Sequence, residues 1–342
     1  MGRRGVNRGE PGPRHRRGPG HALPGPGAAG PVRAYLEPGA AVGAVAVAMA
    51  VGVYVVAVID GTAGRLAGGT GRSDLGAVLL DPLRTVAVLA TQRRRRTERP
   101  DAPGWALAPG LLGGLAATGL AVVPVGPGAA VADPSTGFVV FATAIAFVMI
   151  AVFLHGWSPN SLFPLIGAYR YGAQALSLQI PFLLAMLATA LPAESLAVMD
   201  IVQAQEDLWN VVRQPLGLPI YLMVGIGVSF WGPLNLPDGA DLVGGTSAED
   251  AGTDRLAWEL ARAAMLFAIA SMGAAAFLGG WWGPLLPGPA WMALKTLFLL
   301  VVMVGSRHLV ARVRIEPFVV ACWAVFIPLA LVNIFVSGAL LL

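Results

Sequence analysis

The sequence is short of charge and of cysteine. Only 12% of its 342 residues are Asp, Glu, Lys or Arg, about half the share that is usual in soluble proteins. The single cysteine, Cys322, has no partner within the chain, which excludes an internal disulfide and a cysteine-ligated iron–sulfur cluster. The shortage of charge indicates a chain that lies largely in lipid.

The sequence also lacks the motifs of a self-sufficient enzyme. It has no phosphate-binding loop, no dinucleotide fingerprint between a strand and a helix, no cluster of metal ligands and no recognisable nucleophile with a His and an acid. We therefore expect no catalytic residue, no bound metal and no cofactor held by this chain. No basic segment with interleaved aromatic residues is present, so we expect no nucleic-acid partner.

The four histidines are scattered along the chain, at His15, His21, His155 and His308. His155 and His308 lie near the ends of apolar segments, where anchoring at the membrane interface is the role we expect.

Apolar sequence is what the chain has in excess: 56% of its residues are hydrophobic and the mean hydropathy is +0.69. Runs of about 20 apolar residues can cross the hydrocarbon layer as helices. Eight such runs are visible, at 39–59, 105–125, 137–156, 178–198, 214–232, 261–281, 290–310 and 318–341. They predict an all-α polytopic membrane protein with about eight transmembrane helices, and a membrane domain over residues 39–342. Residues 1–38, rich in Arg, Gly and Pro, are predicted to be a disordered tail that does not resemble a signal peptide.

Arginines are distributed unevenly between the loops. The loops after the first, third, fifth and seventh runs together hold all but one of the loop arginines, most of them in the first, whereas those after the second, fourth and sixth contain only Arg213. Because basic residues favour the cytoplasmic side, the odd-numbered loops are predicted to be cytoplasmic and both termini external, in the plasma membrane. The arginines of the tail favour the opposite orientation.

The first of these loops contains SDLGAVLLDPLRTVAVLA, in which apolar residues recur at helical spacing between Asp74, Asp81 and Arg84. This spacing predicts an amphipathic helix on the membrane surface. The run Arg93–Arg96 that follows is expected to anchor the topology or contact lipid; a docking surface for a soluble partner is the alternative.

Several polar side chains lie in or beside the apolar runs, where they are costly to bury and are candidates for ion or ligand handling. They are Asp60, Arg170, Gln174, Gln179, Glu259, Arg262 and Lys295. For Asp60 and Glu259 snorkelling or a contact at a helix end is favoured, and for Lys295 snorkelling and function are equally open. The two glutamines can link helices by hydrogen bonds, but they cannot titrate.

Four segments, in order, resemble one known family. They are GWSPNSLFPLIGAYRYGAQALSLQIPF at 156–182, PLNLPDGADLVGGTSAED at 233–250, AAAFLGGWWGP at 274–284 and RIEPFVVACWAVFIPLALVN at 314–333. Together they are similar to the H subunit of bacterial NADH:quinone oxidoreductase, respiratory complex I. The resemblance covers most of residues 60–342 and agrees with the family's eight-helix plan.

The resemblance implies a non-autonomous subunit that joins the membrane arm of the complex to its peripheral arm. Its cytoplasmic loops would help to form the chamber through which quinone reaches an iron–sulfur cluster, and would begin a path of buried charges coupled to proton translocation. The implied partners are the other membrane and peripheral subunits, including an iron–sulfur subunit, together with membrane lipid; quinone is the substrate of the complex.

Carried over residue by residue, the resemblance assigns to the quinone chamber or the charge path Arg170, Gln174, Gln179, Asp238, Asp241, Glu249, Arg314 and Glu316. The chain departs from the family pattern at six positions. The family has Glu where this chain has Gln179 and Val228, Arg where it has Trp231, an acid where it has Ala240 and Arg262, and Lys where it has Ala324. Because these changes remove titratable groups, the sequence supports a quinone chamber better than it supports proton pumping.

Three other functions stay open at this point. The corresponding subunit of a membrane-bound hydrogenase or formate-oxidising complex would share these motifs, although FLGGWWGP favours the quinone-linked branch. An ion or solute transporter, or a structural assembly subunit, is the alternative from a different class. The hydropathy shows no matched internal repeat of the kind found in many transporters.

Overall fold

The structure, a computed structural model, describes Gly2, residues 33–34, 37–69 and 75–340. The predicted disordered tail lies almost entirely outside the described residues. Within residues 1–38, Arg33–Ala34 form a short strand, β1, and Pro38 begins the first helix.

The described chain is helical apart from two short strands and the loops. Its α-helices are α1 (Pro38–Ala67), α2 (Leu75–Thr91), α3 (Ala102–Ala121), α4 (Gly137–Trp157), α5 (Leu162–Ala190), α6 (Val198–Gln203), α7 (Asn210–Arg213), α8 (Gly217–Val228), α9 (Thr253–Phe277), α10 (Gly288–Leu309), α11 (Ile315–Ala321) and α12 (Ile327–Ala339). A π-helical segment, Cys322–Phe326, makes α11 and α12 one continuous rod. Strand β2 (Ala132–Asp133) pairs antiparallel with β1.

Seven spans within the described residues are long and apolar enough to cross a membrane, so the prediction of an all-α polytopic membrane protein is confirmed. They are Gly39–Ala67, Ala102–Ala121, Gly137–Trp157, Leu162–Ala193, Thr253–Phe277, Gly288–Leu309 and Ile315–Ala339.

The fifth predicted run, 214–232, corresponds to α8, which has only 12 residues. At 1.5 Å per residue such a helix is about 18 Å long, shorter than the hydrocarbon layer. It ends because Phe230 takes a left-handed conformation, with φ of 40°. The amide of Trp231 then donates to the carbonyl of Ile226 at 2.9 Å, which closes the helix end.

The fourth predicted run, 178–198, began too late. Helix α5 starts at Leu162, so Arg170 and Gln174 lie within it rather than at its start. Similarly, α9 begins at Thr253 rather than near residue 261. Polar side chains lowered the hydropathy of both segments, but in the folded chain they face protein partners described below.

Helix α9 is the centre of the bundle. In its most apolar window 89% of the residues are buried, and it packs against α1, α3, α8 and α10. Small residues such as Gly273 and Ala274 allow these helices to approach closely, as is typical of helix packing in lipid. The large apolar residues on the outside of the bundle, such as Phe335, are then free to face lipid.

The predicted amphipathic segment is the helix α2, which packs against α1 and α9. Val78 is buried, whereas Leu79, Leu80 and Leu83 are exposed. The Tyr54 hydroxyl donates to the Leu79 carbonyl at 2.9 Å and ties α2 to α1. Exposed leucines on a tethered helix suit the predicted position on a membrane surface, which stays a prediction.

The loops gather at two ends of the bundle. At one end, loop 5 (residues 229–252) meets loop 7 (residues 310–314), for example where Arg312 approaches Asp241. At the other end, the residues after α5 meet those after α9, where Trp282 donates to the Val202 carbonyl at 3.1 Å. The arginine-rich first loop lies at the same end as loops 5 and 7, because its Arg94 is 3.5 Å from Asp254 at the start of α9. We call this the odd-loop end.

Candidate functional site

Loop 5 is a compact structure on the odd-loop end. It contains three short 3-10 helices, Gly232–Leu234, Ala240–Leu242 and Gly245–Ser247. The Thr246 amide donates to the Pro237 carbonyl at 3.3 Å. Gly245 has a φ of 56°, and a Cβ there would lie 1.7 Å from the Pro237 carbonyl oxygen. Only glycine can occupy this position, so the glycines of PDGADLVGG are part of the loop's shape.

Asp241 joins loop 5 to α5 and approaches loop 7. Its Oδ2 lies 2.5 Å from Arg170 Nη1, and its Oδ1 lies 3.9 Å from Arg312 Nη1. The hydrogen bond from Arg170 is the main reason that the pKa of Asp241 is lowered. This exposed carboxylate is therefore ionised at neutral pH.

The same residues border an open cavity of about 460 Å³. Four of the predicted site residues line it: Arg170, Asp241, Arg314 and Glu316. Arg312, which sequence reasoning did not assign to the site, lines it as well. Three arginines against two acids give the cavity a net positive charge, which suits an anionic or strongly polar ligand or an acidic protein surface.

Asp238 points inward, away from this cavity. Its Oδ2 lies 3.3 Å from Arg262 Nη1, and both side chains are less than 10% exposed. The hydroxyls of Thr246 and Ser247 donate to the other carboxylate oxygen. Arg262 also donates to the carbonyls of Ser229 and Phe230.

Two aromatic rings complete the environment of Arg262. Its guanidinium lies 4.5 Å from the centre of the Phe230 ring and 4.9 Å from that of Trp231. Asp238 and Arg262 thus form a buried ion pair with most of its hydrogen bonds satisfied.

The other predicted site residues lie elsewhere. Gln174 is fully buried and donates to the carbonyls of Gly227 and Leu234, at 2.7 and 2.9 Å, so it ties α5 to both ends of the turn after α8. Glu249 accepts a hydrogen bond from Ser161 at 2.9 Å. Gln179 is half-buried on α5. None of these three borders the cavity of 460 Å³.

The remaining polar candidates divide between the two ends. Asp60, two turns before the end of α1, accepts from Arg307 at 2.8 Å and lies 2.9 Å from His308 Nε2 in the last turn of α10. Lys295 is buried near the opposite end, where it donates to the carbonyls of Gly280 and Trp282.

The interfacial role predicted for His155 is wrong. Its side chain is 1% exposed, and its Nε2 lies 2.8 Å from Oδ2 of the buried Asp250. The two residues are 95 positions apart, so no local pattern in the sequence could have linked them.

Within the described residues, no three His, Cys, Asp or Glu side chains are close enough together to hold a metal ion. The expectation that the chain itself holds no cofactor stays a prediction.

Comparison with known proteins decides the family. The family model for NADH dehydrogenase matches residues 40–338. The chain belongs to the NADH dehydrogenase family. It is 31% identical over 255 residues to an H subunit of the NADH-quinone oxidoreductase of Rhodopseudomonas palustris strain BisB5, and the match covers 74% of this chain and 80% of that protein.

A second relative agrees with this assignment. An H subunit of the NADH-quinone oxidoreductase of strain BisA53 is 33% identical over 239 residues, which cover 70% of this chain and 75% of the relative. The resemblance to the H subunit is therefore confirmed. This member of the NADH dehydrogenase family is a diverged relative of a membrane subunit of a complex I-type enzyme.

Proposed function

We propose that the chain is the H-type membrane subunit of an NADH:quinone oxidoreductase in the plasma membrane, and that its odd-loop end forms part of the quinone chamber and docks the peripheral arm. The observation that carries the proposal is the cavity between loop 5, α5 and loop 7, where Arg170, Asp241, Arg314 and Glu316 come together. In a chain of this family, such a charged opening at the end of an apolar bundle suits the meeting of membrane and soluble subunits.

The cavity combines two surfaces that a quinone site needs. Leu236, Val313 and Ile315 supply an apolar wall, and the arginines and acids supply hydrogen-bonding groups. A quinone head group has carbonyl oxygens that accept hydrogen bonds from guanidinium groups. Arg314 is exposed, so it is free to bind quinone or an acidic face of an iron–sulfur subunit.

Coupling of quinone reduction to proton translocation is the second part of the proposal. It is supported by ionisable groups buried within the bundle, Asp238 with Arg262 and Asp250 with His155. Such groups are costly to keep in a membrane domain and commonly belong to ion or proton pathways.

Purification of the tagged chain from its native membrane tests the assignment. We expect iron–sulfur and other membrane subunits to copurify, together with NADH:quinone reductase activity. Recovery of the chain as a lone, stable monomer without such activity would contradict the proposal.

The role of the cavity is tested within the assembled complex. Arg314→Gln should lower the rate of quinone reduction or raise the KM for quinone, while electron transfer from NADH to a water-soluble acceptor is unchanged. Arg213→Gln, at the opposite end of the bundle, is the matched control. Unchanged quinone kinetics in a complex that contains Arg314→Gln would exclude this cavity as the quinone site.

A further inference from the structure

A second cluster of ionisable groups lies deeper in the bundle than the cavity. His155 is near the end of α4, and Asp250 is near the end of loop 5. Their side chains are 1% and 0% exposed, with 2.8 Å between His155 Nε2 and Asp250 Oδ2. The other carboxylate oxygen accepts a hydrogen bond from Trp105 Nε1 at 3.0 Å. The pair is thus a buried imidazole and carboxylate held by α3, α4 and loop 5.

No lysine or arginine of the described residues forms an ion pair with Asp250. The charged groups on the surrounding elements have other partners. On α3, Asp101 caps the helix by accepting from the Gly104 amide; on α5, Arg170 pairs with Asp241; and in loop 5, Glu249 accepts from Ser161.

The charged groups of α9 are also engaged. Asp254 lies 3.5 Å from Arg94 Nε, Arg255 lies 4.0 Å from Glu259, and Arg262 pairs with Asp238. The net charge of the His155–Asp250 pair therefore depends on the proton that the pair itself holds. A bare buried carboxylate is costly, so a proton on the pair compensates it.

One ring nitrogen of His155 is open to a further proton. Nε2 is engaged with Asp250, whereas Nδ1 is buried without a hydrogen-bond partner among the described residues. When the pair gains a proton, Nδ1 becomes an N–H group and the imidazole becomes cationic; when it loses the proton, Nδ1 is a free lone pair and the pair is anionic. The atom that must change its protonation is thus the one that no other side chain occupies.

Trp258 stabilises the protonated form. Its ring is stacked on the imidazole, with 3.6 Å between ring centres and 10° between the planes. A cation above the face of an indole is attracted by the negative charge of the ring face. The indole N–H of Trp258 is itself buried and has no hydrogen-bond partner in the part of the chain that the structure describes, so a second polar group adjoins the imidazole.

We propose that His155 and Asp250 form a proton-binding site, with the proton gained and lost at Nδ1 of His155. The step forms or breaks one N–H bond and changes no other bond. The inference deepens the proposed function, on which its place in turnover rests: the site would take up and release a proton while quinone is reduced.

Nuclear magnetic resonance of the full chain in lipid nanodiscs tests the binding of the proton directly. With ¹⁵N-labelled histidine only four residues give imidazole signals, and His155→Gln assigns that of His155. We expect the Nδ1 signal of His155 to change from the neutral to the protonated form when the sample is moved from alkaline to acidic buffer. Asp250→Asn should disfavour the protonated form, because the carboxylate that stabilises the cation is lost. A signal that does not titrate, or a transition that Asp250→Asn leaves in place, would overturn the proposal.

The pH dependence of quinone reduction by the native complex tests the role in turnover. Glutamine at position 155 can still donate to Asp250 but cannot carry a charge, so His155→Gln keeps the tie and removes the titration. We expect His155→Gln to remove one ionisation from the pH profile and His308→Gln, at the half-buried contact with Asp60, to leave the profile unchanged. An unchanged profile in His155→Gln would mean that the contact between His155 and Asp250 is purely structural, and would overturn its role in turnover.

If His155→Gln does not assemble, Asp250→Asn replaces it, and the expected result is a pH profile in which the same ionisation is altered. Absence of quinone reductase activity from the native complex would instead reject the proposed function. The nanodisc experiment would still test whether His155 and Asp250 bind a proton.

Discussion

Arg170 on α5 and Asp241 in loop 5 form the contact that closes one wall of the cavity, with 2.5 Å between Nη1 and Oδ2. Asp241 is more than half exposed. An exposed ion pair of this kind stabilises a fold only weakly. Its importance is geometric, because it fixes the position of Arg170 beside Arg312 and Glu316 at the cavity.

The pH dependence of this contact follows from the lowered pKa of Asp241. Because the carboxyl has a lower pKa in the folded state than its ordinary value of 3.8, the stabilisation is fully present above that value and is lost as the pH falls through the lowered pKa. We expect Asp241→Asn to lower the thermal midpoint of the complex slightly at neutral pH, with the difference vanishing in strong acid. Thermal denaturation over a pH series measures this, with Asp207→Asn in an exposed segment at the opposite end as the control. A difference that grows as the pH falls would contradict the assignment.

Gly245 provides a test of the backbone of loop 5. A Cβ at this position would lie 1.7 Å from the Pro237 carbonyl oxygen, and its φ of 56° disfavours other residues. Gly245→Ala should therefore open the loop and lower the amount of assembled complex severalfold. Gly128→Ala is the matched control, since its φ is 67° but a Cβ there would meet nothing within 4 Å. Equal yields of the two variants, measured by native gel electrophoresis, would show that loop 5 tolerates the shift.

Hydropathy was sufficient to place the helices but not all of their ends. Arg170 and Gln174 interrupt the apolar pattern, yet α5 continues through them because Asp241 accepts from Arg170 and two backbone carbonyls accept from the Gln174 amide. Helix α8 ends early for the opposite reason. Its sequence is apolar through Trp231, but the left-handed Phe230 turns the chain.

The candidate site was likewise predictable from the sequence only in part. Asp238 and Asp241 are three positions apart in one motif, yet the first pairs inward with Arg262 and the second outward with Arg170. Spacing could not separate these directions, because each depends on an arginine that is distant in sequence, 24 positions away for Asp238 and 71 for Asp241. The pairing of His155 with Asp250 was equally invisible, since it depends on the packing of three helices around loop 5.

Gln174 is predicted here to be a structural tie rather than a ligand of quinone. It is fully buried, and its amide donates to the carbonyls of Gly227 and Leu234. Gln174→Leu would leave both carbonyls without this donor, at a cost of about 1–3 kcal/mol for each buried group that stays unsatisfied. We expect less assembled complex but an unchanged KM for quinone in the complex that does form. Gln179→Leu, on the half-buried side of the same helix, should have a smaller effect on assembly. A raised KM with normal assembly of Gln174→Leu would instead place this residue in the quinone site.

The Asp238–Arg262 pair offers the sharpest test of the buried charges at this end of the bundle. Removing one partner of a buried ion pair leaves the other uncompensated and commonly costs about 3–5 kcal/mol. Asp238→Ala and Arg262→Met should each lower the free energy of unfolding of the chain in detergent by roughly this amount. The double variant should cost less than the sum of the two single ones, because neither charge is left unpaired, and the difference measures their coupling.

Arg255→Met with Glu259→Ala is the control cycle, since that pair is exposed and its atoms are 4.0 Å apart. Its coupling should be below about 1 kcal/mol. Additive effects at Asp238 and Arg262 would mean that the two charges act independently, with Arg262 held mainly by the carbonyls of Ser229 and Phe230.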